Sequence, residues 1–334
     1  ITVHAGYRNI QFSPYTLAGY RMLGGGLELN PKGFRFGFMY GRLNRSAAID
    51  SAQFANPLAF RPTPVYTRMA YAVKLGVGTD KNYFDISYLK GWDKEKSLQQ
   101  KFRDSLPPAD NHVLGLSWKL SFLKHFSWQT DLGLSHYTSD IYSDRIVLDS
   151  SNPKILRQLT KFLGSRIASQ LLTAGETKLS YTGKWLGLGV MYKRVDPDYK
   201  SMGAYFFQSD IQQITVIPSL RLLKGKLLLN GSLGWQEDNL YQQKLSTSKR
   251  FIGNANINYN PSQVFGVNFN YTNFGITQNP LRTSPTDEIF KQVSQSYSLV
   301  PYLNFTNGNT VKNIQLVSSL QKSVSLYCSS CKLF

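Results

Sequence analysis

Seven times along the chain, a run of strict apolar/polar alternation meets a short turn and is answered by a second such run. The first instance is the clearest. Leu23, Gly25, Leu27 and Leu29 share one face, and Asn30-Pro31-Lys32-Gly33 makes the turn. Phe34, Phe36, Phe38 and Tyr40 carry that face back, with Arg35, Gly37, Met39 and Gly41 opposite. Successive strand side chains point to opposite faces, so a period of two across a Pro/Gly turn specifies an antiparallel hairpin.

The pattern recurs with turns at 79–82, 123–125, 183–184, 224–225, 260–261 and 307–309. Seven hairpins give fourteen strands. Residues 1–8 add one before the first hairpin and 323–334 a short one after the last, so the expectation is about 14 to 16 strands.

The connections alternate in length. Turns within hairpins are short, whereas the links between them (46–64, 93–110, 139–174, 197–208, 239–247 and 275–290) are long and hold much of the Pro, Asp, Lys and Ser. A soluble sandwich has no reason to keep that rule. A transmembrane β-barrel does, with short periplasmic turns and long extracellular loops. Aromatic residues agree. Phe34, Phe122, Phe126, Trp128, Trp185, Phe265 and Phe305 lie near the short turns, and Tyr40, Tyr88, Trp92, Tyr192, Trp235 and Tyr271 near the long links. Two aromatic belts around an aliphatic band match the headgroup depths of a bilayer. The expected fold is therefore all-β: one antiparallel transmembrane β-barrel domain over 1–334, with a short amphipathic helix in one loop. The chain starts at Ile1 without a leader pattern, which reads as a fragment of a longer outer-membrane protein.

Two features sit awkwardly in that scheme. Pro218 and Pro301 fall inside expected strands, where each removes a ladder donor, so bulges or rim positions are expected there. Residues 153–172 switch period: Ile155, Leu159, Phe162, Leu163, Ile167 and Leu171 follow helical spacing, with Lys154, Arg157, Lys161 and Arg166 largely off that stripe. This segment reads as a lumen constriction, a helix on the lipid surface or a plain helix at the rim.

If lipid covers the apolar face, the opposite positions line the interior. They include Arg35, Arg68, Lys74, Lys119, Lys193, Arg221 and Arg250 against Glu28, Asp85 and Asp131. Between them stand many Asn, Ser and Gln, which implies an interior of water or a polar plug rather than a packed apolar core. The whole chain carries 38 Lys+Arg against 20 Asp+Glu, a net charge of +18. A cationic wall favours anionic solutes, and surplus loop cations suit the phosphates of outer-membrane lipid and lipopolysaccharide.

No catalytic, cofactor or metal site emerges, and no enzymatic role is expected. Ser135 and His136 are strand neighbours facing opposite sides, so they cannot act as nucleophile and base. Gly24-Gly25-Gly26 opens no helix and makes no phosphate cradle. Cys328 and Cys331 form a lone Cys-X-X-Cys without a redox or zinc context. The Lys and Arg are dispersed and build no nucleic-acid patch.

Three stretches go beyond general barrel character. These are Phe12-Ser-Pro-Tyr-Thr-Leu-Ala-Gly-Tyr20 running on through Gly24-Gly-Gly-Leu-Glu-Leu-Asn-Pro31, the run from Tyr192 to Phe207, and Gly234-Trp-Gln-Glu-Asp-Asn239. With them the chain resembles the large outer-membrane β-barrel proteins of Bacteroidota-type bacteria. That resemblance implies an outer-membrane location and a longer parent, and it transfers no catalytic residues. The expected role is a passage or translocation pore for polar cargo with an anionic bias. The alternative is a non-conducting barrel, an anchor or assembly component whose long loops bind a protein or polysaccharide partner.

Overall fold

Every hairpin written into the alternation forms in the computed structural model, which describes residues 1–47, 64–99, 106–149, 152–205, 208–280, 289–307 and 310–328. After β1 (Thr2–Arg8) come β2 (Met22–Leu29) and β3 (Phe34–Asn44), β4 (Arg68–Gly78) and β5 (Tyr83–Asp93), and β6 (Asp110–Phe122) and β7 (Phe126–Thr138). The helix α1 (Lys154–Leu163) precedes β8 (Ser169–Thr182) and β9 (Leu186–Val195). Then follow β10 (Ile211–Leu222) and β11 (Leu227–Asp238), β12 (Ser246–Tyr259) and β13 (Phe265–Pro280), and β14 (Ile289–Asn307), β15 (Thr310–Gln315) and β16 (Ser318–Cys328). They make one 16-stranded antiparallel sheet in chain order from β1 to β15, with β16 also on β14.

Neither proline makes a bulge, one of the two expectations for it. Opposite Pro301 the return strand breaks, which is why β15 and β16 are separate. Yet Leu299 pairs Ser318 and Tyr302 pairs Gln315, so both pieces keep one register and no residue is inserted. Leu316 bridges the gap by donating its N–H to the Pro301 carbonyl at 3.1 Å. β16 therefore continues the last hairpin along the same edge and is no extra neighbour beyond it. At Pro218 the ladder to β11 skips two residues between Val216↔Leu233 and Ser219↔Asn230, again without a shift. A missing N–H interrupts a ladder without requiring a bulge. The irregularity instead lies between Arg42 and Asn44, against β4.

The helix is shorter than the 153–172 stripe. Gly164 takes left-handed dihedrals (φ 62°, ψ 37°), its N–H reaching Lys161 O, while Ser165 N–H reaches Thr160 O at 3.0 Å. That left-handed cap ends the helix. Ile167 N–H then bonds Asp144 O at 2.9 Å, so Ile167 belongs to extended chain and Leu171 to β8. Residues 281–288, Phe206, Phe207 and Cys331 lie outside the described residues.

The described chain gathers into two compact units. The first contains residues 1–120, 130–175 and 198–208, and the second 121–129, 176–197 and 209–334. In the first, the aromatic face of the sheet is open: Phe38, Leu75, Ile86, Leu114 and Leu132 are all exposed. Its opposite face is buried. In the second, Leu188, Val190, Ile214, Leu233 and Trp235 are likewise exposed along one face.

Candidate functional site

The buried face of the first unit is closed by two segments that the period-2 pattern passes over. The chain between β1 and β2 turns inward. Ile10, Phe12, Tyr15 and Leu17 are buried, and Ile10, Phe12 and Leu17 join Met39 of β3, Leu89 of β5 and Val113 of β6 in one apolar cluster. The second segment, between β9 and β10, brings Tyr199, Ser201 and Met202 against the first. For this face the expectation was water or a polar plug rather than a packed apolar core; the two segments do cover it, but with an apolar cluster among them.

Hydrogen bonds stitch the segments together and to the strands. Tyr199 Oη donates to Tyr15 O at 2.9 Å, and Ser201 Oγ donates to Thr16 O at 2.7 Å. Ala18 N–H bonds Gly203 O at 3.0 Å and Tyr205 N–H returns to Ala18 O at 3.1 Å. Asn111, fully buried on β6, accepts from Met202 N–H at 2.9 Å and donates to Ser135 Oγ at 2.8 Å and His136 O at 3.1 Å. Ser135 Oγ donates onward to Lys200 O at 2.6 Å. A buried amide satisfied on both ends fixes one geometry, because each orphaned partner would carry a desolvation cost. Burial also holds the Tyr199 phenol above its ordinary pKa, so it stays a donor.

Strand composition makes room for the segments. A Cβ at Gly133 of β7 would lie 2.5 Å from both Tyr15 Cβ and Tyr199 Oη, and one at Gly91 of β5 would lie 2.8 Å from Met202 Cβ. Only glycine permits that approach.

Alternation places the ten charged positions singled out from the sequence on the strand face opposite the exposed apolar side chains. Much of their charge is matched. Arg35 Nε meets Asp85 at 3.0 Å and its Nη1 meets Asp80 at 3.0 Å, with the guanidinium 4.7 Å over the Tyr83 ring. Arg68 forms a fork with Asp93 at 2.8 and 3.1 Å. Glu28 pairs with His4 at 3.0 Å, Lys193 lies 3.8 Å from Glu176, and Asp131 accepts from Ser117 at 2.6 Å. Lys74 sits over the Phe12 ring at 5.2 Å, pinned by the first segment. Lys119, Arg221 and Arg250 have no carboxylate within ion-pair reach among the described residues.

The second unit is built differently. On β10 to β13 the corresponding face is a polar ladder: Ser219 donates to Asn230 at 2.8 Å, Asn254 donates to Ser232 at 2.7 Å, and Asn256 donates to Asn270. At its loop end Asp210 accepts from Asn239 N–H (3.0 Å), Leu240 N–H (2.9 Å) and the Lys244 ammonium. The hydrogen bonds of Lys244 and the two backbone amides outweigh the desolvation that raises it, so the Asp210 carboxyl lies below its ordinary pKa. Asn239 in turn accepts from Lys244 N–H at 2.9 Å and donates to Lys244 O at 3.2 Å, closing the 239–245 loop on itself.

On the exposed face of the first unit a polar knot interrupts the apolar band. Lys90 Nζ touches Asp110 and lies 2.6 Å from His112 Nε2, while Tyr88 Oη lies 2.8 Å from His112 Nδ1. Phe162 of α1 packs beside His112 with rings 6.1 Å apart. His136 Nε2 meets Ser165 Oγ at 2.9 Å, whereas Ser135 bonds on the opposite face, as strand geometry requires. Among the described residues the His136 Nδ1 has no hydrogen-bond partner, so the Ser165–His136 pair has there no orienting third member of a nucleophile–base arrangement. Among the described residues no group of three or more His, Cys, Asp or Glu is arranged to hold a metal.

Sequence reasoning missed both inward segments and this knot. The inward segments had one available signal. Gly37, Ser87, Gly91, Gly115, Ser117, Gly133 and Ser135 give β3 to β7 small residues on the very face where β10 to β13 carry Asn, Thr and Gln. No protein-family model and no curated protein matches this chain.

Proposed function

We propose that the chain is a β-barrel of a bacterial outer membrane, non-conducting at rest, whose long loops present a binding surface to a protein or polysaccharide partner. The membrane part of this reading rests on the long antiparallel strands, each with an exposed apolar face, and on α1. On that helix Ile155, Leu159 and Phe162 are exposed, as in a helix lying in a headgroup layer. Exposed apolar surface of this extent on adjacent strands is rare on a soluble monomer. The resemblance to Bacteroidota-type outer-membrane barrels supports the location. Fifteen strand positions alternate in direction, so closing such a sheet takes either one parallel pair or one further strand.

The non-conducting part rests on one observation: the segments 10–20 and 198–205 pack onto the buried face of the first unit through buried side chains and hydrogen bonds. Ion pairing of Arg35, Arg68 and Lys193 also weakens the case for an anion-selective wall. A second reading, a passage for polar cargo, is favoured by the Asn-rich face of β10 to β13. Planar-bilayer recording separates them. Wild-type protein is expected to be silent, and a variant with Tyr199→Ala and Asn111→Ala to show current steps as the segments loosen. Ohmic conductance by the wild type would replace the closed reading with the pore.

A further inference from the structure

The segment 144–148 runs beside α1, held by Ile146 N–H to Ser165 O at 3.0 Å and by the pairing of Arg145 with Arg166. Between them is a hollow of about 310 Å³ whose lining includes Arg145, Arg157, Thr160, Lys161, Val147 and Leu148. Three cations and no carboxylate line it. Among the described residues none of the three is ion-paired, although Lys and Arg elsewhere in the chain find Asp or Glu. Among the described residues Arg157 Nε is buried without a hydrogen-bond partner. Three like charges around one hollow repel each other, and an anion placed among them relieves that repulsion and offers an acceptor to the Arg157 guanidinium. Val147 is 89% exposed at the hollow's edge, so an apolar group has a surface to rest on.

We propose that this hollow binds the phosphate headgroup of an anionic membrane amphiphile, with Arg145, Arg157 and Lys161 on the phosphate, Thr160 donating a hydroxyl, and the acyl chain passing over Val147 and Leu148. Guanidinium forks match phosphate oxygens in pairs, which a lysine cluster alone does not. The proposal rests on the membrane reading above. It adds a specific headgroup class and the residues that select it.

The test reconstitutes the full chain and an Arg145→Gln/Arg157→Gln/Lys161→Gln variant in micelles with equal phosphatidylglycerol and phosphatidylcholine, and reads retained lipid by native mass spectrometry. The wild type should retain phosphatidylglycerol over phosphatidylcholine by about tenfold, and the variant should lose that preference. Near-ultraviolet circular dichroism confirms that the variant is folded, and a single Arg157→Lys variant gives an intermediate preference. Equal retention by wild type and variant overturns the proposal. Displacement of phosphatidylglycerol by millimolar inorganic phosphate also overturns it, in favour of a free-phosphate site. Flotation with phosphatidylcholine vesicles reads the membrane reading separately: wild type and variant should both float. If both float and neither prefers phosphatidylglycerol, only the headgroup site fails. If neither floats, the membrane reading fails and this proposal falls with it.

Discussion

Tyr199 donates its phenolic hydrogen to the carbonyl oxygen of Tyr15 across 2.9 Å, and the two rings meet edge to face with centroids 6.1 Å apart. These residues are 184 positions apart in the chain. Their contact joins the segment between β1 and β2 to the one between β9 and β10, and so locks both against the strands. Tyr199→Phe keeps the ring and removes only the donor, leaving the Tyr15 carbonyl buried without it. The expected loss is about 1–2 kcal/mol of unfolding free energy, read from denaturant unfolding in detergent. A change inside the error of that measurement would show that the two segments hold each other by packing alone.

The Arg35 guanidinium serves two carboxylates in very different settings. Asp85 is buried, whereas Asp80 is fully exposed on the β4–β5 turn. Removing the arginine strands a buried charge, so Arg35→Ala should cost about 3 kcal/mol. Asp80→Asn should leave the unfolding midpoint unchanged, since exposed pairs contribute little. The double variant Arg35→Ala/Asp85→Ala should recover much of the loss, because the uncompensated charge is gone. Equal effects of Arg35→Ala and Asp80→Asn would contradict this division.

How much of this was legible beforehand depends on whether a feature repeats locally. Hairpins such as Leu23–Leu43 are written in adjacent residues, so the period of two places all seven and the short turns within them. The inward segments have no period. Phe12, Tyr15 and Leu17 read as a link, and their burial follows from partners such as Leu89 and Val113 far along the chain. Charge pairing was hidden for the same reason: Arg35 and Asp85 are 50 residues apart and meet only through the β3–β4–β5 register. The helix at 153–172 was half right. Its apolar spacing continued through Ile167 and Leu171, but the left-handed Gly164 ended it, and the chain turned into β8. The stretches 12–20 and 192–207 overlap the inward segments, and 234–239 leads into the loop that Asp210 anchors.

That anchor makes the 239–245 loop sensitive to acid. The Asp210 carboxyl sits below its ordinary value, so the ionised form favours the docked loop. The stabilisation is fully present above the ordinary pKa and is lost as pH falls through the depressed one. Hydrogen exchange of the 239–245 amides should therefore speed up, relative to the intrinsic rate, as pH drops below 4. Asp210→Asn should show fast exchange at every pH, since an amide cannot accept from both Asn239 and Leu240 while facing the Lys244 ammonium. Protection unaffected by pH in the wild type would assign the loop's order to Asn239 alone.

The central claim is that the exposed apolar face of the strands is covered by lipid. Neighbours on β5 test it most directly, because Ile86 is exposed and Ser87 is buried on the opposite face. With Cys328 and Cys331 replaced by serine, a small environment-sensitive fluorophore is placed at Ile86→Cys or Ser87→Cys in protein reconstituted into vesicles with and without spin-labelled lipid. The account predicts strong quenching by the labelled lipid at position 86 and little at 87, repeating at Leu120 against Lys119 on β6. Equal quenching at 86 and 87, or none at either, would contradict it.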